Sequence, residues 1–137
     1  MSVQRKQYSA ELKVKVALEA IKCRDAEAWL ACCAMTGAAA ESVLLALAIA
    51  KVGEEETILK TYQASGGRQK VLNLVVSQAN DHRRNTLTTF SKIILMWRDE
   101  AAHGVATPLD TANADEGLHQ LLHMCQWVEK EWNNLTQ

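Results

Sequence analysis

The stretch Trp97-Arg98-Asp99-Glu100-Ala101-Ala102-His103-Gly104 brings an arginine, a carboxylate and a histidine together at the end of an expected helix. These types in this order suit work on a phosphate. A guanidinium keeps its charge and donates in a fork that matches a phosphate or carboxylate. An imidazole takes up or releases a proton near neutrality. Upstream, Leu87, Phe90, Ile94, Trp97 and Ala101 recur at helical spacing and define a core face, with Arg98 beside it. At the border of an apolar face that arginine requires a carboxylate, a backbone carbonyl or a phosphate. Arg84, Thr88 and Ser91 share its side of the helical wheel, so a polar, basic stripe forms one wall of a groove. Gly104 ends the helix and leaves His103 in the last turn or just beyond it. On an unbroken helix, residues five apart diverge by roughly 140°. Arg98 and His103 therefore converge only where the helix stops, or where the partner group comes from a second chain.

The chain that must position these residues has 137 of them, one Pro, six Gly and no run of alternating aromatic and β-branched residues that suggests a sheet. We expect a single all-α domain, an up-and-down helical bundle of four to five main helices, with residues 1–7 as a flexible arm. Cys23, Cys32, Cys33 and Cys125 lack CxxC spacing and a secreted disulfide framework, and read as small core residues in a reducing, cytoplasmic setting. The polar N-terminus is not followed by an apolar signal segment. Net charge is −1, but it is unevenly spread: residues 1–24 carry +4, 25–67 carry −4, 68–98 carry +5 and 99–137 carry −6. A basic segment thus leads into the motif, as a phosphate-binding surface requires, although solvated faces and mutual ion pairs would give the same pattern.

A first helix is expected after Ser9, with Leu12, Val16, Leu18 and Ile21 buried on more than one side. Asp25 can cap a second that runs to Ala50 and is apolar almost all round. From Ala28 to Ala50 its one charge is Glu41. That length would cross a bilayer. Its many Ala, Gly, Ser, Thr and Cys residues and a carboxylate near the midplane argue instead for a buried central helix and no membrane span. Glu41 then needs a cationic partner, unless it reaches an edge. Gly53 ends this helix, Glu54 to Tyr62 form a short one, Gly66-Gly67 break the chain, and Arg68 to Ala79 form another before a bend at Asn80-Asp81-His82.

After Thr107-Pro108, Asp110, Thr111 or Asn113 caps a last helix, with Leu118, Leu121, Leu122, Cys125, Val128 and Trp132 on its core face. Trp127 falls opposite, with His123 and, more peripherally, His119. A Trp directed away from its own core suggests an interface, and Trp127 and His123 are the candidate interface residues. His119 and His123 have i, i+4 spacing, but no third ligand accompanies them, so no metal or other cofactor is expected. No Gly-rich phosphate loop, GxSxG or paired carboxylates support nucleotide hydrolysis or acyl transfer.

The series Arg98, Asp99, His103, Gly104 resembles the R-x4-6-H motif of HEPN domains, which place it where the third main helix gives way to the fourth. The resemblance covers nearly the whole helical pattern. It implies a metal-independent endoribonuclease of a toxin–antitoxin, phage-defence or RNA-processing kind, acting as a homodimer on RNA. Arg98 would clamp the scissile phosphate, and His103 would be general acid or base. Asp99 would orient a neighbour, at a position where the family often has Asn. Glu41, on the helix where such sequences often carry a Glu, would orient Arg98. Arg84, Ser91 and Lys92 would contact the nucleic acid. Two readings stand beside it: a noncatalytic module using the same cleft for RNA, a nucleotide or a protein, and a helical partner protein of the antitoxin kind centred on Trp127.

Overall fold

A helix that is apolar on every side has to be surrounded, and Trp29–Val52 (α1) is. It packs most extensively against α4 (Asp81–Ala102), then against α5 (Thr111–Leu135), α3 (Gly67–Val76) and α2 (Glu55–Gln63). The computed structural model describes residues 15, 18–22, 28–102 and 111–137, with the backbone alone at 99–102 and 111. Among the described residues all regular structure is helical, and the chain is an all-α bundle. Val43, Leu44, Leu47 and Ala48 of α1 are fully enclosed with Leu87 and Ile94 of α4 and Leu121, Met124 and Val128 of α5. Each large side chain buried there contributes about 1.5–3 kcal/mol. The apolar length that could cross a membrane is therefore a core helix inside this bundle. Cys32 and Cys33 lie in the same interior.

The helix ends have local causes. Gly53 takes a left-handed φ of 85° after α1, and its N–H closes on the Ile49 carbonyl. Asn80 Oδ1 accepts from the Arg83 amide at 2.8 Å and caps α4. Lys51 Nζ donates to the Val75 carbonyl at 2.9 Å and to Ser77 Oγ at 3.3 Å, placing a cation at the carbonyl end of α3. Burial lowers the pKa of that ammonium from its ordinary value.

Several expectations are corrected. The N-terminal cap position of α1 is Ala28, with no side-chain cap, while Asp25 lies outside the described residues. In the 18–22 segment Ala20 is enclosed, but Leu18 and Ile21 are exposed; Leu12 and Val16 lie outside the described residues. The last helix has begun by Thr111, so Asn113 sits inside it rather than capping it. The inward line of α5 is Ala114, Gly117, Leu121, Met124, Val128 and Leu135, and Leu122 is 49% exposed. Spacing of three and four residues produces a narrow seam, as expected for a helix covered mainly by two neighbours, α1 and α4. Trp127 is not turned to solvent: it is part-buried against the core, its ring 5.8 Å from that of Phe90 on α4. The outward direction expected for Trp127 is corrected by that contact. His119 and His123 are exposed.

Candidate functional site

Two glycines bring three helices together around the arginine. A Cβ on Gly37 of α1 would stand 3.1 Å from the Arg98 amide nitrogen, so the missing side chain is what lets α4 cross α1 this closely. On the other side, a Cβ on Gly117 of α5 would meet the Trp97 ring at 3.0 Å and Thr36 Cγ2 at 3.4 Å. Trp97 is thereby held in the wedge, its Nε1 donating to Gln120 Oε1 at 3.1 Å. With Trp97 locked inward, the next residue, Arg98, emerges at the bundle surface.

Glu41 lies one turn beyond Gly37 on the same face of α1, at the place this crossing exposes to Arg98. Arg98 Nη1 donates to Glu41 Oε1 at 2.6 Å, and to the Tyr62 hydroxyl at 3.4 Å. The pair is lopsided. The Glu41 side chain is 16% exposed, whereas that of Arg98 is 50% exposed. The carboxylate is thus the anchored member. Both contacts run through one nitrogen of a group with five N–H donors, and the guanidinium is oriented without being enclosed.

An open cleft of ≈ 520 Å³ lies alongside, and Arg98, Ser91 and Leu95 of α4 form one wall. The other wall is Tyr62 and Gln63 from the end of α2, Gly66, and the first residues of α3 with Leu72. A sharp turn makes that second wall. Gly66 adopts a left-handed φ of 67°, and a Cβ on Gly67 would overlap the carbonyl oxygens of Tyr62 and Thr61, so α3 can start directly against the end of α2 only with glycine there. Arg68 stands in this wall, with its Nε buried and without a hydrogen-bond partner among the described residues.

The sequence-derived candidates separate accordingly. Glu41 and Arg98 are brought together, and Ser91 joins them on the cleft, where its hydroxyl donates to the Thr88 carbonyl at 2.7 Å. Arg84 is exposed on the same helix but about 21 Å along the axis from Arg98. Lys92 is exposed and does not line the cleft. Neither contributes to this site. His103 and the side chain of Asp99 lie outside the described residues. Arg68 and Tyr62 are the residues that sequence reading overlooked. A signal existed for Arg68, since α3 opens with Arg68 and Lys70 and has no acid in its first turn, a placement the helix dipole disfavours. Comparison with protein-family models, curated proteins and solved structures returns no match. The functional reading rests on this geometry and on the motif.

Proposed function

We propose that the protein is a metal-independent endoribonuclease of the HEPN type that works at this cleft. The observation that carries the reading is an arginine with a fixed orientation and a free face: Glu41 holds Arg98 at the border of an open cleft. In the reaction, the ribose 2'-oxygen forms a bond to phosphorus while the bond from phosphorus to the 5'-oxygen breaks. The products are a 2',3'-cyclic phosphate and a 5'-hydroxyl. A proton leaves the 2'-oxygen and one arrives on the 5'-oxygen, and His103, five residues beyond Arg98, serves one of these transfers. Arg98 holds the phosphate and offsets the charge that builds on its oxygens. Because side chains five apart on a helix diverge, a homodimer in which Arg98 of one protomer meets His103 of its partner satisfies the geometry.

Full-length protein incubated with labelled RNA in EDTA should release products ending in a 2',3'-cyclic phosphate, and DNA, which lacks the 2'-hydroxyl, should survive. His103→Ala should slow cleavage by roughly 10²-fold or more while RNA binding persists. Mixed dimers of the Arg98→Ala and His103→Ala chains should regain one working site. Cleavage that needs Mg²⁺, or that is unchanged in His103→Ala, overturns the mechanism, and binding without cleavage replaces it with a noncatalytic RNA-binding module.

A further inference from the structure

We propose that the cleft beside Arg98 is a nucleobase subsite: the base of a nucleotide lies between the two walls, against Leu95, Leu72 and Tyr62, while its phosphate meets the open side of the Arg98 guanidinium. That the nucleotide belongs to an RNA strand rests on the functional reading above. The fit of a base to this cleft does not.

The cleft offers more apolar surface than its arginines suggest. On α4 two neighbouring apolar residues stand in the open, Leu95 at 48% and Met96 at 42% exposure, and of the two Leu95 alone lines the cleft. Consecutive helix residues point about 100° apart, so Met96 is turned to another side. On the opposite wall Leu72 is held in the core, 3% exposed, and Tyr62 packs against that core. Both are fixed by packing, so this wall is formed before any ligand arrives. Gly66 and Gly67 bring bare backbone to the same wall, and no side chain projects from these two positions.

A flat ring also needs partners for its polar edge. Ser91 commits its hydroxyl hydrogen to the Thr88 carbonyl and so offers a ligand lone pairs. Gln69 Nε2 donates to Asn73 Oδ1 at 2.9 Å, which steadies the amide and leaves its carbonyl oxygen and second N–H for another partner. Ser91 and Gln69 both line the cleft. The charged residues that line it, Arg68 and Arg98, are both cations, and Arg98 has half of its side chain in the open. Apolar walls, an amide and a hydroxyl at the edge, and a guanidinium at the border answer the faces of a base, its edge and the attached phosphate in turn. A free anion would leave the leucines in water. An apolar side chain would leave the open half of Arg98 without an acceptor. The volume of ≈ 520 Å³ suits a small ligand, and the open form lets a chain leave on either side.

The experiment uses the full chain and five small probes, the four nucleoside 5'-monophosphates and ribose 5-phosphate, which carries the same phosphate without a base. In an NMR titration at least one of the nucleotides should bind about fivefold or more tighter than ribose 5-phosphate. Its base protons should show nuclear Overhauser contacts to the methyl groups of Leu72 and Leu95. Leu95→Ala should weaken that nucleotide by about threefold or more and leave ribose 5-phosphate within about twofold. Met96→Ala removes a similarly exposed apolar side chain from the next position, off the cleft, and should leave both unchanged. Both positions are exposed, so neither truncation empties the core. Ribose 5-phosphate binding as tightly as every nucleotide, equal losses in the two variants, or base contacts away from Leu72 and Leu95 overturn the subsite. If the nucleotides bind as described but RNA survives in EDTA, the ribonuclease reading fails and the subsite stands. If RNA is cleaved while the base adds nothing to binding, the subsite fails alone.

Discussion

Helix α4 carries an ion pair near each end, and the two are built to opposite effect. Near its start, Arg83 Nε donates to Glu131 Oε2 of α5 at 2.7 Å, and Asn134 donates to the same oxygen at 3.0 Å. Both side chains are largely covered, 29% exposed for Arg83 and 21% for Glu131. About 22 Å along the axis, Arg98 meets Glu41 with its carboxylate buried deeper and half of its own surface open on the cleft. The first pair is closed on both sides and ties two helices together. The second anchors the carboxylate and leaves half of the guanidinium in the open. The same chemistry is a closed fastening in one place and leaves an oriented, half-exposed guanidinium in the other, and what separates them is which partner the packing leaves in water.

The largest effect that tests this contrast is on activity. Arg98→Lys, which keeps a cation beside Glu41 but loses the planar fork, should reduce RNA cleavage by roughly tenfold or more, with a melting temperature within about 2 °C of wild type, since the covered Glu41 carboxylate keeps a partner. Arg83→Ala should do the reverse, leaving cleavage within about twofold and lowering the melting temperature by roughly a few degrees. Paired thermal melts and cleavage assays read both, and a stability loss shared equally by the two variants would erase the distinction.

A smaller effect concerns how Arg98 is placed. Gly37→Val forces a branched side chain against the Arg98 backbone and should cost about 1–3 kcal/mol in urea unfolding. Because α4 must then move off α1, the Glu41 contact should loosen and cleavage fall along with stability. Gly37→Ala should show the same trend more weakly, its Cβ needing only a small displacement. A Gly37→Val chain as stable as wild type would show that the crossing is not close in solution.

The smallest effect is a pH dependence at the closed pair. The Arg83 hydrogen bond, and after it that of Asn134, hold the Glu131 carboxyl below its ordinary value of 4.5, against a weaker opposing effect of desolvation. A carboxyl depressed on folding contributes stability that is fully present above its unfolded pKa and is lost as pH falls through the folded one. The gap in urea midpoint between wild type and Arg83→Gln should therefore be constant from pH 7 to about pH 5 and shrink below pH 4.5. A gap that widens on acidification would contradict this assignment.

Much of the core was legible because helical periodicity reports which side chains must leave water. Leu87, Ile94 and Trp97 are buried on α4, and the unbroken apolar run of α1 is central. The requirement of Glu41 for a cation, and of Arg98 for an anion, could be read from each residue in isolation, and the two are joined in the fold. Periodicity failed where a helix has fewer neighbours than its apolar residues suggest. Leu122 and Leu18 are apolar and exposed, because a wheel records which residues share a side and not how wide a stripe the neighbours cover.

By itself, then, the sequence determined the helical class, the central helix and the motif with Arg98, since these depend on local periodicity and on the chemistry of single side chains. Only the tertiary structure decided that Phe90 covers Trp127, that Arg84 lies far from the site, and that Arg68 and Tyr62 share a cleft with Arg98. Those facts depend on where separate helices meet. That is settled by Gly37, Gly67 and Gly117, whose missing side chains permit backbone approaches that no pattern along one helix encodes.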